Sequence, residues 1–182
     1  MHRPSSIALL AAVLAALPVQ AARGDEAAVP QGRPFQLALF DPAQIVPANQ
    51  GISGVGINLL YGKNAFLRGV EAGLVNNVAG DVHGAQWGIV NIAGGDYVGF
   101  QDGFVSITHG KLEGLQTGLV TLAGSTSGFQ LGLFNHTESA RGLQLGIVNH
   151  AVRMNGIQIG IVNIIEQGGW LPVCIIVNGS FP

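Results

Sequence analysis

The chain has 182 residues, enough for one domain, and a formal net charge of −2 from 8 Lys+Arg against 10 Asp+Glu. Charged residues make up only 10%, against about 25% in typical globular domains. This composition offers no basic patch for nucleic acid, and the single cysteine, Cys174, excludes a disulfide framework.

Residues 1–21 open on Met1-His2-Arg3, run apolar from Ile7 to Leu17 and end on Pro18-Val19-Gln20-Ala21. A basic start, a short apolar core and small residues at Val19 and Ala21 predict a secretory signal peptide cut after Ala21. The apolar run is shorter than the ~20 residues a membrane-spanning helix needs. Removing residues 1–21 takes away Arg3 and leaves a formal charge of −3, one below the −2 of the whole chain. Residues 22–34, ARGDEAAVPQGRP, are polar, alanine-rich and broken by proline, and predict a disordered tether. Residues 35–182 read as a single β-repeat domain with terminal caps.

The domain opens with Phe35-Gln36-Leu37-Ala38-Leu39-Phe40, which alternates as a strand, and Asp41-Pro42 turns it. GVGINLLY, from Gly54 to Tyr61, reads as another strand, followed by a turn signal at Gly62-Lys63-Asn64. Then a motif repeats. Leading glycines stand at 69, 84, 99, 114, 128, 142 and 156, spaced 15, 15, 15, 14, 14 and 14. Counting each as position 1, position 5 is again glycine in all seven units. Position 3 is Gln in six (Gln86, Gln101, Gln116, Gln130, Gln144, Gln158) and Glu71 in the first. Position 8 is Asn76, Asn91, Asn135, Asn149 or Asn163, with Ser106 and Thr121 in the middle units. An imperfect earlier copy is read from Gly51 to Asn58. The end departs from the pattern near Trp170, with Pro172 and Cys174 where Gln and Gly would fall, as expected of a cap.

Glycine every four residues costs a helix about 1 kcal/mol each time, whereas the Leu, Ile, Val and Phe content favours strand. In GLQLGIVN, Leu143, Leu145 and Ile147 share one face of a strand, and Gly142, Gln144 and Gly146 the other. Two all-β architectures fit. In a β-solenoid-like stack of 14–15-residue repeats, each unit is one coil. The apolar trio of every coil joins a continuous core, and the Asn positions form a ladder at a corner. In a closed antiparallel β-barrel or curved meander sheet, each unit is one strand and its turn. Barrel turns alternate short and long. The spacing here changes only once, which favours the solenoid.

Chemistry is sparse. His136 and His150 are one period apart, so a solenoid would stack them about 4.8 Å apart, but zinc needs three or four ligands and no third is evident. Asp81, Asp96, Asp102, Glu113, Glu138 and Glu166 are read as out of phase, which predicts no calcium ladder. Asp102 is the exception that lies inside a strand unit. The glycine motifs lack the Lys-Ser or Lys-Thr and the helix of a phosphate loop. Tyr97, Phe100 and Phe104 read as a local binding patch or as core filling, and Cys174, between apolar residues, as a buried small side chain. No catalytic, cofactor-binding or metal-ligating set emerges.

The GLQLGIVN-type units, preceded by NLLYGKN and closed by WLP and VNGSF, resemble a family of bacterial surface repeat-containing proteins known from spirochaetes and other Gram-negative bacteria. The resemblance runs from Phe35 to Phe181. Ser106, Thr121 and Glu71 depart from its commoner Asn and Gln. It implies export and a place at the envelope or cell surface, and it carries over no activity. The expected function is therefore a non-enzymatic structural scaffold with an adhesion or assembly role. Its partner would be an outer-membrane or envelope component and not a nucleic acid. The alternative is a small outer-membrane β-barrel, structural or a narrow pore.

Overall fold

The computed structural model describes residues 31–181. The segment read as a signal peptide, and all of the tether before Gln31, lie outside the described residues. The described chain contains eight strands and no helix: β1 (Arg33–Phe40), β2 (Ala43–Gln44), β3 (Ile52–Asn64), β4 (Leu67–Val78), β5 (Val82–Ala93), β6 (Tyr97–Leu145), β7 (Val148–Gln167) and β8 (Val173–Ser180). They form one sheet in the order β2-β1-β3-β4-β5-β6-β7-β8.

Pairing from β1 through β7 is parallel, and like lies beside like. Gly54 pairs with Gly69, Gly69 with Gly84, Gly84 with Gly99, and Gly142 with Gly156. A parallel register displaced by one period is a β-solenoid, here of about eight coils. The 49-residue β6 winds without a break through the coils led by Gly99, Gly114 and Gly128. The alternative of a barrel or meander is thereby corrected, because a chain of hairpins would pair its neighbours antiparallel. Only the ends do so: β2 folds back on β1, and β8 runs antiparallel to β7.

Three boundaries differ from the sequence reading. The first coil is led by Gly54, not Gly51, because Gly54 is the residue that stacks on Gly69. Gly62-Lys63-Asn64 lies within β3, shifted by a bulge in which Leu59 and Leu60 oppose one residue of β4. β1 starts at Arg33, inside the expected tether, and sets Gln36 beside Gly56 in the position-3 column.

The largest difference concerns the two strand faces. The apolar trio at positions 2, 4 and 6 points outward, and the Gly/Gln face points inward. All six position-3 glutamines and Glu71 are fully buried, as are the five position-8 asparagines, Ser106 and Thr121. The apolar interior comes instead from the residues flanking each turn. Ile52, Leu67, Val78, Val82, Ala93, Tyr97, Leu112 and Ala123 form one cluster, and Ala140, Ala151, Met154 and Ile165 another.

Amides are tolerated inside because they pair with one another. Each Gln Nε2 donates to the residue one coil earlier: Gln158 to Gln144, then to Gln130, Gln116, Gln101, Gln86 and finally Glu71, over 2.7–3.2 Å. From Gln101 onward, five of these groups also reach a position-9 carbonyl of their own coil at 3.0–3.5 Å. The asparagines form the expected corner ladder, with donors pointing the other way. Asn58 donates to Asn76 and Asn76 to Asn91, then Asn135 to Asn149 and Asn149 to Asn163, at 2.7–2.8 Å. The same amides tie down the position-4 carbonyls of Trp87, Asp102, Leu145 and Ile159 in the next coil. Ser106 keeps that second bond to Thr117, and Thr121 donates to Asn135 at 2.6 Å.

Beyond the first coil, whose column 5 is Asn58, glycine is required at two columns. Position 1 has φ between +131° and +152°, a region open essentially to glycine, and a Cβ there would strike the carbonyl of the residue one coil below. At position 5 the obstacle is the corner ladder. A Cβ on Gly146 would strike the Gly132 carbonyl and lie 2.6 Å from Asn135 Nδ2. Gly146→Val is expected to destabilise the fold by about 2–4 kcal/mol, from overpacking and a broken amide bond. An unchanged urea midpoint would contradict this packing.

Candidate functional surface

Inverting the faces creates a surface. The eight coils present twenty-four outward positions at columns 2, 4 and 6, and all but Asp102 and Thr117 are apolar. Among the most open are Phe104 (60%), Ile161 (61%), Leu59, Phe129 and Leu133. β1 extends the strip at one end, with Phe35 beside Val55 and Leu37 beside Ile57, and β8 at the other, with Val177 beside Ile159. At the adjoining corner the position-8 side chains turn inward. Positions 7 and 9 therefore meet: Val90, Val105, Val120 and Phe134 pack against Ile92, Ile107 and Leu122. A contiguous apolar surface on this scale is larger than soluble monomers ordinarily expose.

The aromatic group read from sequence is split by the fold. Tyr97 is buried and donates to the Phe100 carbonyl at 2.6 Å. Phe100 and Phe104 are on the strip, where Phe100 meets Trp87 edge to face at 5.8 Å. Asp102 accepts from the Thr117 hydroxyl one coil away. Cys174, expected to be buried, is partly exposed on β8, because that strand is the last of the sheet.

His136 and His150 stack as the period predicts, with ring centroids 4.8 Å apart and Nδ1 atoms at 2.8 Å. Glu166 takes the other nitrogen of His150, Nε2, at 2.9 Å. That fixes the neutral arrangement: Nε2–H of His150 donates to Glu166, and its Nδ1 accepts from His136. Burial first, and then the neighbouring His150, hold the His136 pKa below the usual 6.5, against the weaker pull of Glu138 and Glu166. Among the described residues no three His, Cys, Asp or Glu side chains are placed to hold a metal. Asp81 and Asp96, read as out of phase, are in fact one period apart. Their carboxylates are used on the backbone N–H groups of Asp96 and Lys111, at 2.9 and 2.8 Å.

Glu71 is the one acidic side chain fully buried among the described residues. It accepts from Gln86 on Oε2, and from Asn58 and Asn64 on Oε1. Burial raises its carboxyl above the ordinary 4.5, more than those three amides lower it. Sequence inspection could have singled it out as the acid in a glutamine column, but its burial follows only once the faces are assigned.

No protein-family model, no curated protein and no solved structure matches the chain.

Two pH-dependent outcomes follow. A raised carboxyl favours the fold only when protonated, so that contribution is present below the unfolded value of 4.5 and lost as pH rises through the folded one. The melting temperature of Glu71→Gln relative to the wild type is expected to rise as pH rises above 4.5, because only the wild type carries a buried carboxyl that must ionise. A difference between the two that does not change with pH would contradict the burial cost. His136 has the opposite sign: its contribution is present above 6.5 and lost as pH falls through the lowered folded value. Acidification from pH 7 to 5 should therefore destabilise the wild type more than His136→Ala, and parallel denaturation curves would contradict the assignment.

Proposed function

We propose that this chain is an exported, non-enzymatic repeat protein of the bacterial envelope or cell surface. In this reading the solenoid is a rigid scaffold and the apolar strip is its assembly or adhesion surface. The observation that carries the reading is the strip itself, twenty-two outward apolar side chains held in rows by a cross-linked polar interior. The signal-like residues 1–21 and the resemblance to bacterial surface repeat proteins support the same placement. The outer-membrane partner expected from the sequence becomes, in this reading, an envelope component met through the strip.

The test is expression of the chain with a C-terminal tag in a Gram-negative host, followed by fractionation and mass spectrometry. The expected product starts at Ala22 and partitions with the envelope. A double variant, Phe104→Lys with Leu133→Lys, is expected to fold and to move at least about tenfold from the envelope to the soluble fraction, since each lysine interrupts the strip. A cytosolic chain that retains residues 1–21 would overturn the proposal.

A further inference from the structure

We propose that the apolar strip is covered by the strip of a second copy of this chain, the two sheets facing each other about a two-fold axis. The inference rests on the reading of the strip as an assembly surface and names its occupant.

Area is the first argument. The strip crosses ten strand rows, from β1 through eight coils to β8. At ~4.8 Å per row it is about 45 Å long, and columns 2 to 6 with their side chains make it about 15 Å wide. That gives about 700 Å², within the ~600–1,000 Å² each partner buries in a standard stable interface. Facing sheets pack ~10 Å apart with interdigitating side chains, and a sheet face of this kind suits that geometry.

The second argument is where the polar residues sit. A two-fold axis that runs parallel to the strands through the midpoint of the eight-coil strip lies between the fourth coil, led by Gly99, and the fifth, led by Gly114. Asp102 and Thr117 occupy column 4 of those two coils. The axis therefore sets Asp102 of one copy over Thr117 of the other, and every other coil meets only apolar side chains. The strip's exceptions lie at the single place where such a dimer brings polar groups together.

The same residue disfavours a lipid surface. A strip laid on a bilayer would press Asp102 toward acyl chains with only Thr117 of its own chain as a partner, whereas the dimer sets the second copy's Thr117 hydroxyl over it. Peripheral binding also draws on Lys and Arg to attract anionic lipid. Arg68, His83, Glu113 and Arg141 border the strip with mixed sign, and the chain carries a formal net charge of −2.

The experiment is sedimentation equilibrium of the chain as recovered from expressing cells, with circular dichroism of each variant and a parallel flotation assay on phosphatidylcholine vesicles and vesicles containing phosphatidylglycerol. The expected result is a concentration-dependent dimer. Phe104→Lys, next to the axis, should raise its dissociation constant at least about thirtyfold, as for a central interface side chain, with an unchanged β spectrum. Asp102→Asn should lower it about tenfold by relieving the two carboxylates at the axis. A monomer at all concentrations, a monomer that floats with either vesicle, or a dimer indifferent to both Phe104→Lys and Leu133→Lys would each overturn the proposal. If the chain is monomeric but Phe104→Lys still releases it from the envelope, the dimer fails while the assembly reading stands.

Discussion

A primary amide taken out of water without a partner costs a few kcal/mol, and a paired one costs little. That asymmetry governs this molecule. From Gln86 to Gln158 each glutamine of the inner column is buried and donates to the side chain one coil earlier. The bond exists only when neighbouring coils are in register. A coil displaced by a single residue would leave two amides orphaned and turn its apolar side chains into the interior. Register in a stack of similar units is usually a weak point. Here it is held by a row of groups that have nowhere else to bond.

The sequence made the period, the strand character and the corner ladder legible, because each is a matter of spacing. Gly142, Gln144, Gly146 and Asn149 recur in phase, and the fold uses them in phase. It did not make the faces legible. The ordinary rule sends Leu143, Leu145 and Ile147 inward, and the structure sends them out. The reason is the columns themselves. Gly142 and Gly146 share the parity of Gln144, and both are glycine because backbone or an asparagine amide from the neighbouring coil occupies the space a Cβ would take. Glycine that meets a neighbour belongs inside, and its parity carries the glutamine with it. Gln36 was missed for a related reason: it stands in column 3 without a leading glycine to mark it.

Stacking also governs the ionisable groups. His136 and His150 are neighbours solely because they are a period apart, and they share one hydrogen bond between imidazoles. Asp81 and Asp96 are spent on backbone N–H groups in the turns, which accounts for acids that repeat without gathering into a site. The outward strip follows from the same inversion. Once amides and glycines fill the inner face, the apolar residues of the same strands have only the outside left.

The two amide ladders run in opposite directions. Glutamine N–H groups point toward the first coil and asparagine N–H groups toward the last. A single row of aligned amides would accumulate a dipole with length, as an α-helix does, and would place its positive end on the first coil. Glu71 ends the row there with a carboxyl oxygen as the last acceptor, and the counter-running row offsets much of the dipole. At the other end Gln158 leaves its oxygen open to a further donor. Electrostatics therefore sets no natural length for this array. Duplication of a fourteen- or fifteen-residue stretch between Glu71 and Gln158 would insert a coil whose glutamine finds an acceptor below and a donor above, so coil number is free to drift while the two ends stay as they are.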